Sequence, residues 1–156
     1  ELLKANKIDW DYLCDGIPTK LFHGDLQFDN VIYDGQNFSL IDWRQSFGNS
    51  IEYGDVYYDL AKLYGGILMS YKAMKDEENF SVSIIKDQVD ISFKRTKRLA
   101  DFEMIFVDWV KGNGYDFNKI KKITALIYLN MSPLHEKEFG DLLYYRSKQL
   151  LEECYG

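Results

Sequence analysis

Three polar residues in the first third of the sequence have the types and spacing that phosphoryl transfer needs. Asp25 and Asn30 lie five residues apart in the segment HGDLQFDN, and Asp42 follows in the triplet IDW. A carboxylate such as that of Asp25 can orient an attacking hydroxyl group and accept its proton. The amide oxygen of Asn30 and the carboxylate of Asp42 suit Mg²⁺, which prefers hard oxygen ligands. These residues are therefore candidates for a catalytic base and a metal site.

Two short strands are expected to bring the metal-ligand candidates together. Val31–Tyr33 and Phe38–Ile41 are apolar, and the turn signal DGQN lies between them. Because both open ends of a hairpin return to the same edge, Asn30 before the first strand and Asp42 after the second could contact one ion. The octet taken alone has another explanation, since Asp and Asn favour turns for purely structural reasons.

The rest of the sequence is dominated by apolar residues at helical spacing, which predicts an α+β, mainly helical fold. Helices are predicted over 55–73, 99–110, 117–131 and 139–154. Asp55 is the expected N-cap of the first of these helices. Residues 1–18 indicate the end of a helix followed by a loop. Residues 80–93 alternate imperfectly and fit either a hairpin or a helix.

Composition and charge exclude several classes of function. The chain has 156 residues, 46% of them hydrophobic, and a formal net charge of −6. This charge argues against an overall attraction to nucleic acid or to an anionic membrane surface. A basic run is present, but we interpret it as the solvated start of a helix; it comprises Lys94, Arg95, Lys97 and Arg98.

Cysteine usage and hydropathy indicate a cytoplasmic protein. Cys14 and Cys154 are too few and too far apart for a disulfide scaffold, and no Cys/His cluster suggests zinc. We find no apolar run of about 18 residues that would span a bilayer. The N-terminus also lacks the regions of a signal peptide.

Several motifs in the first half of the chain together resemble one family. They are His23-Gly24-Asp25-Leu26 with Asn30, Ile41-Asp42-Trp43, Gly54-Asp55, and Asp59-Leu60-Ala61. Their order and spacing resemble those of the aminoglycoside phosphotransferase and choline kinase family, distant relatives of the protein kinases. The resemblance implies the C-terminal lobe of a protein-kinase-like fold that uses ATP and Mg²⁺. By it, Asp25 is the catalytic base, and Asn30 and Asp42 hold the metal.

Two further residues are expected to brace the catalytic loop. We interpret His23 as a residue that fixes the loop through hydrogen bonds and not as a proton carrier. Asp59 lies in the first turns of the predicted helix, where the helix dipole favours a carboxylate, and the resemblance implies that it braces the loop. Gln27 stands where protein kinases often have Lys, so direct charge stabilisation is not expected from this position.

The resemblance also implies a division of the chain into three parts. Residues 1–18 would be a connector from an N-terminal lobe, 19–76 the catalytic core, and 77–156 a helical subdomain that binds the acceptor. A glycine-rich phosphate loop and a Lys–Glu pair are not visible in the sequence, which begins at Glu1. We therefore expect the N-terminal lobe to lie outside this chain, and the chain alone to have little activity.

The predicted function is ATP-dependent transfer of a phosphoryl group to a hydroxyl of a small metabolite such as choline, ethanolamine, an amino sugar or an aminoglycoside. His135 and Glu136 follow Ser132-Pro133 and either border the acceptor pocket or merely end a helix. The alternative to an enzyme is a non-catalytic binding or interaction module with a kinase-like fold. The sequence names neither the acceptor nor the oligomeric state, and it does not distinguish ATP from GTP.

Overall fold

The computed structural model describes residues 8–86 and 88–155, which form a mainly helical α+β fold. The helices are α1 Trp10–Cys14, α2 Val56–Leu68, α3 Lys97–Gly112, α4 Phe117–Met131 and α5 Lys137–Tyr155. The strands are β1 Pro18–Thr19, β2 Val31–Tyr33, β3 Phe38–Leu40, β4 Gly54–Asp55, β5 Phe80–Ile85 and β6 Gln88–Phe93. Short 3-10 helices occupy Phe28–Asn30, Ala73–Lys75, Glu77–Asn79 and Ser132–Leu134. The expected α+β, mainly helical class is confirmed.

The described strands pair as antiparallel ribbons: β1 with β4, β2 with β3, and β5 with β6. The predicted hairpin around DGQN is confirmed, with Val31 opposite Leu40 and Tyr33 opposite Phe38. The first predicted helix and loop are present as α1 and the segment after it, while residues 1–7 lie outside the described part of the chain.

The core is built from helices, with α4 packed against both α2 and α5. Its buried members among the described residues all lie between Tyr57 and Leu151. Central members such as Ile120, Tyr128 and Leu142 have no exposed surface. Removing this apolar surface from water is the main stabilising contribution to the fold.

Helix α2 begins as predicted but ends earlier. The Asp55 side chain accepts a hydrogen bond from the backbone N–H of Tyr57 at 3.0 Å, which confirms it as the N-cap. The helix ends at Leu68 and not near Ala73, because Met69 adopts an extended conformation. Apolar spacing appeared to continue because Met69 is buried beyond the helix end and Tyr71 still packs against Tyr128.

Residues 80–93, for which the sequence left two structures open, form a hairpin. Phe80 pairs with Phe93, and Val82 with Ile91, and these four side chains pack against the helical core. Asp87, between the two strands, lies outside the described residues. One face of the ribbon is thus half-buried, which accounts for the incomplete alternation.

The basic run at residues 94–98 is exposed and leads into α3, as expected for a solvated helix start. Thr96 caps this helix through a hydrogen bond from the backbone N–H of Leu99. None of the helices in the described ranges is long and apolar enough to cross a membrane.

Candidate active site

The loop that carries Asp25 is tied to the first turns of α2. The Asp59 carboxylate accepts hydrogen bonds from the backbone N–H groups of His23, at 2.6 Å, and of Gly24, at 2.7 Å. Gly24 has a φ of +77°, and a Cβ there would lie 2.6 Å from the Cβ of Arg44. Both the conformation and the lack of space therefore require glycine at this position.

Asp59 is buried, and its burial raises the pKa of the carboxyl group. The two N–H groups act in the opposite direction, because they stabilise the ionised form. Charge-assisted bonds of this kind are stronger than those between neutral groups. Asp59 thus has the contacts expected of a residue that braces the loop.

The imidazole of His23 connects the same loop to the end of β3. The backbone N–H of Asp25 donates to Nδ1 at 3.2 Å, and Nε2 lies 2.8 Å from the carbonyl oxygen of Ile41. Since Nδ1 accepts this hydrogen bond, Nε2 is the ring nitrogen that donates to Ile41. His23 is buried and its ring lies 4.9 Å from that of Trp43. Through these two contacts, His23 fixes the catalytic loop relative to the end of β3.

The hairpin brings the two metal-ligand candidates to one edge. The Asn30 carbonyl oxygen accepts a hydrogen bond from the backbone N–H of Ile41 at 3.0 Å, so Asp42 follows directly after a residue paired with Asn30. Asp42 is exposed and has a φ of +59°. Positive φ is uncommon outside glycine, although Asp tolerates it better than most residues, and such conformations cluster at functional sites.

Asn30 is oriented by its side-chain NH₂ group. Nδ2 donates to the Asp25 carbonyl oxygen at 2.9 Å and lies 3.5 Å from the Asp25 carboxylate. Both of these contacts use the nitrogen, and no hydrogen bond to the amide oxygen is found among the described residues, so that oxygen is available as a ligand. Within the described ranges no three His, Cys, Asp or Glu side chains form a metal-binding cluster. An ion held by Asn30 and Asp42 would complete its coordination with water and phosphate oxygens, as Mg²⁺ usually does.

Asp25 is buried among cationic and amide groups. Its Oδ1 lies 2.7 Å from the Nζ of Lys62 on α2. Its Oδ2 has three longer contacts, to Gln27 Nε2 at 3.4 Å, to Asn30 Nδ2 at 3.5 Å and to Arg44 Nη2 at 3.9 Å. The sequence did not identify Lys62 as a site residue. The sequence feature that could have identified Lys62 is its position three residues after Asp59, which places both side chains on the same face of the helix.

A cavity of about 300 Å³ has the predicted His135 and Glu136 in its wall. Its other lining residues are Tyr71, Met74, Lys75, Glu77, Phe80, Glu138 and Phe139. The pKa of Tyr71 is raised, mainly by burial and then by the charge of Asp25. Burial and then the positive charge of Lys62 lower the pKa of His135. The charges of Asp25 and Lys62 thus influence two residues of the cavity wall, although neither residue lines the cavity.

A family model described as the phosphotransferase enzyme family matches residues 3–83, which is more than half of the chain. The matched segment contains His23, Asp25, Asn30, Asp42 and Asp59, while His135 and Glu136 lie beyond it. Searches of curated proteins and of solved structures found no match to this chain.

Proposed function

The chain belongs to the phosphotransferase enzyme family, and from this premise we propose that it is the C-terminal lobe of a cytoplasmic, ATP-dependent small-molecule kinase. The reaction is transfer of the γ-phosphoryl group to a hydroxyl of a small metabolite. The observation that carries the proposal is the environment of Asp25. Its carboxylate is oriented by a cation, its loop is fixed by two anchors, and Asn30 bonds to its main chain.

In this mechanism Asp25 accepts a hydrogen bond from the acceptor hydroxyl and takes its proton as the new oxygen–phosphorus bond forms; the bond between the γ-phosphorus and the bridging oxygen breaks, and ADP leaves. Asn30 and Asp42 would hold Mg²⁺, which would supply positive charge to neutralise the nucleotide phosphates. His23 and Asp59 keep the loop in place through the hydrogen bonds described above. The fixed position of the base matters because positioning and electrostatic stabilisation supply most of the catalysis in such reactions.

The cavity supports a cationic acceptor, with His135 and Glu136 in its wall. It offers aromatic side chains from Tyr71, Phe80 and Phe139, and carboxylates from Glu77, Glu136 and Glu138. Aromatic faces and carboxylates both attract ammonium groups. Choline, ethanolamine, an amino sugar or an aminoglycoside would each combine such a group with a hydroxyl to be phosphorylated.

The proposal includes an N-terminal lobe that grips the nucleotide, joined through residues 1–18 to the catalytic core 19–76 and the acceptor-binding subdomain 77–156. Apolar side chains exposed on and near the β2–β3 hairpin support a covering lobe; they include Ile32, Phe38, Ile41 and Trp43. We expect residues 1–156 alone to bind nucleotide weakly and to turn over little.

The deciding experiment is a nucleotide-consumption assay on the full protein with a panel of amino alcohols, amino sugars and aminoglycosides. Asp25→Asn should lower kcat by roughly 10²–10⁴-fold, the usual contribution of a general base. Asp29→Asn is the matched control, because Asp29 is exposed and lies four residues after Asp25, on the 3-10 helix Phe28–Asn30, and it should retain full activity.

The competing function is a non-catalytic binding module with the same fold. It predicts no acceptor-dependent nucleotide consumption, whichever residue is changed. Activity that is equal in wild type and in Asp25→Asn would exclude Asp25 as the base and would contradict the proposed mechanism.

A further inference from the structure

The contact between Lys62 and Asp25 is the feature of the site that the mechanism above leaves without a role. The two side chains are 9% and 11% exposed, and Nζ lies 2.7 Å from Oδ1. Lysine is almost never fully buried without a partner, because removing its charge from water is costly. Lys62 therefore pairs with the residue proposed as the base, inside the fold and not on its surface.

The ion pair distinguishes the two oxygens of the Asp25 carboxylate. Oδ1 is enclosed and accepts no hydrogen bond of normal geometry from the described residues. Its charged neighbour is the Lys62 ammonium group, 2.7 Å away, so the contact is an ion pair. Oδ2 has neighbours at 3.4 Å or more, which are long for hydrogen bonds. One oxygen is thus occupied, while the other is the one that an acceptor hydroxyl can approach.

We propose that Lys62 is a positioning residue for phosphoryl transfer, which holds Asp25 Oδ1 so that Oδ2 faces the acceptor hydroxyl. The inference rests on the proposed function and adds a residue to it. The ammonium group also supplies a fixed positive charge next to the reacting groups, where water is largely excluded and charge interactions are strong.

The positive charge of Lys62 on α2 accounts for the neutral Gln27 in the catalytic loop. Protein kinases often have Lys where this chain has Gln27, and Gln27 reaches Asp25 Oδ2 only through a long amide contact. Lys62 brings a cation to the other oxygen of the same carboxylate from α2. Arg44 is a weaker source of charge, since its side chain is 64% exposed and lies 3.9 Å away.

A purely structural role explains the pair less well. Buried ion pairs are weak contributors to stability, and apolar residues of similar volume often replace them without loss. The loop is already fixed to α2 by Asp59 and to β3 by His23. Lys62 is therefore not needed to fix the loop, and its role is to orient the Asp25 carboxylate and to place a positive charge next to it.

The test compares kcat and KM of the full protein for three variants. Lys62→Met keeps the length and the apolar stem but removes the charge, and we expect kcat to fall about 10–100-fold with KM for the acceptor changed less than about threefold. Gln27→Lys in the Lys62→Met background returns a cation to Asp25 and should restore at least part of this loss. Lys111→Met is the matched control, because Lys111 is exposed at the end of α3, and it should behave as wild type.

Each outcome decides the proposal. Full kcat in folded Lys62→Met overturns it, and so does a loss of kcat that Gln27→Lys leaves unchanged, as a structural role predicts. If Lys62→Met does not fold, Lys62→Gln removes the charge and, because its side chain is one bond shorter, does not place its amide nitrogen where Nζ lies. Full kcat in that variant overturns the proposal as well.

The same experiment separates this inference from the function on which it rests. A wild-type protein that transfers phosphate to none of the acceptors overturns the proposed function and the role of Lys62 together. An active wild type, an inactive Asp25→Asn and a fully active Lys62→Met overturn the role of Lys62 alone.

Discussion

The segment from Lys20 to Asp55 and the helices α2 to α5 are held together by different forces. The helices bury a continuous apolar core, whose buried members among the described residues begin at Tyr57. The segment before them exposes many large apolar side chains, and its loop is fixed by hydrogen bonds to Asp59 and through His23. Stability is therefore concentrated in the helices, while the geometry of the site depends on a few polar contacts.

This difference has a consequence for mutations. A polar change at an anchor of the loop should affect activity strongly, whereas an apolar change in the core should affect stability and leave the folded site intact. Four comparisons test this separation, in order of decreasing expected effect.

The largest effect is expected for Asp59→Ala, which removes the link between the two regions. The N–H groups of His23 and Gly24 would lose their acceptor in a buried setting, at about 1–3 kcal/mol each. We expect the free energy of unfolding to fall by roughly 2–6 kcal/mol and kcat to fall at least about 100-fold. Urea denaturation and the kinase assay measure both, with exposed Asp108→Ala as the control. Unchanged activity would contradict the bracing role.

Leu142→Ala tests the core by itself. Leu142 is fully buried in α5, so truncation should lower the free energy of unfolding by about 2–5 kcal/mol. The kcat of the folded protein should stay within about twofold of wild type, because the change lies outside the loop anchors. Leu134→Ala is the exposed control, with an expected change of less than about 0.5 kcal/mol. A large loss of kcat in folded Leu142→Ala would show that the regions are not separable.

Two tyrosine hydroxyl groups make the same type of hydrogen bond in the two regions and allow a direct comparison. Tyr128 OH donates to the Gly65 carbonyl oxygen at 2.7 Å inside the core, and Tyr33 OH donates to the Gly35 carbonyl oxygen at 2.7 Å on the exposed hairpin. Tyr128→Phe should reduce the free energy of unfolding by about 1 kcal/mol. Tyr33→Phe should change it by only a few tenths, roughly, because water replaces the hydroxyl there. Equal effects in thermal or urea unfolding would contradict this contrast.

The smallest effect concerns the pH dependence that Asp59 gives to stability. Its pKa in the folded protein is raised above the ordinary value of 3.8, so the folded state binds this proton more tightly than the unfolded chain does. The free energy of unfolding should therefore fall as the pH rises from 3.8 through the raised pKa, and this slope should be absent in Asp59→Asn.

Urea unfolding of both proteins between roughly pH 3.5 and pH 6.5 measures this contribution. The stability of the wild type relative to Asp59→Asn should decrease with rising pH and then become constant. A difference that does not change with pH would contradict the direction of the pKa shift.

Local features of the sequence predicted most of the elements correctly. The hairpin between Val31 and Leu40 followed from its turn signal, and the start of α2 from Asp55. Both depend on interactions within a few residues. The position of Asn30 next to Ile41 follows from the hairpin register, so this part of the candidate site was also within reach of the sequence.

Other features were not predictable because they depend on distant contacts. Lys62 is 37 positions from Asp25 in the chain, and its burial follows from the packing of α2, which is covered on several sides. The end of α2 at Leu68 and the hairpin at residues 80–93 were decided by which side chains the core could bury. Apolar spacing alone leaves such choices open.

The sequence by itself determined the residue types for the chemistry, the hairpin that joins two of them, and the mainly helical class, because composition, turn residues and periodicity are local properties. Only the tertiary structure decided that Lys62 lies against Asp25, that His23 links the loop to Ile41, and that His135 and Glu136 share a cavity wall with Tyr71 and Phe80. These contacts join segments far apart in the chain, and they form only when burial of the helical core brings those segments together.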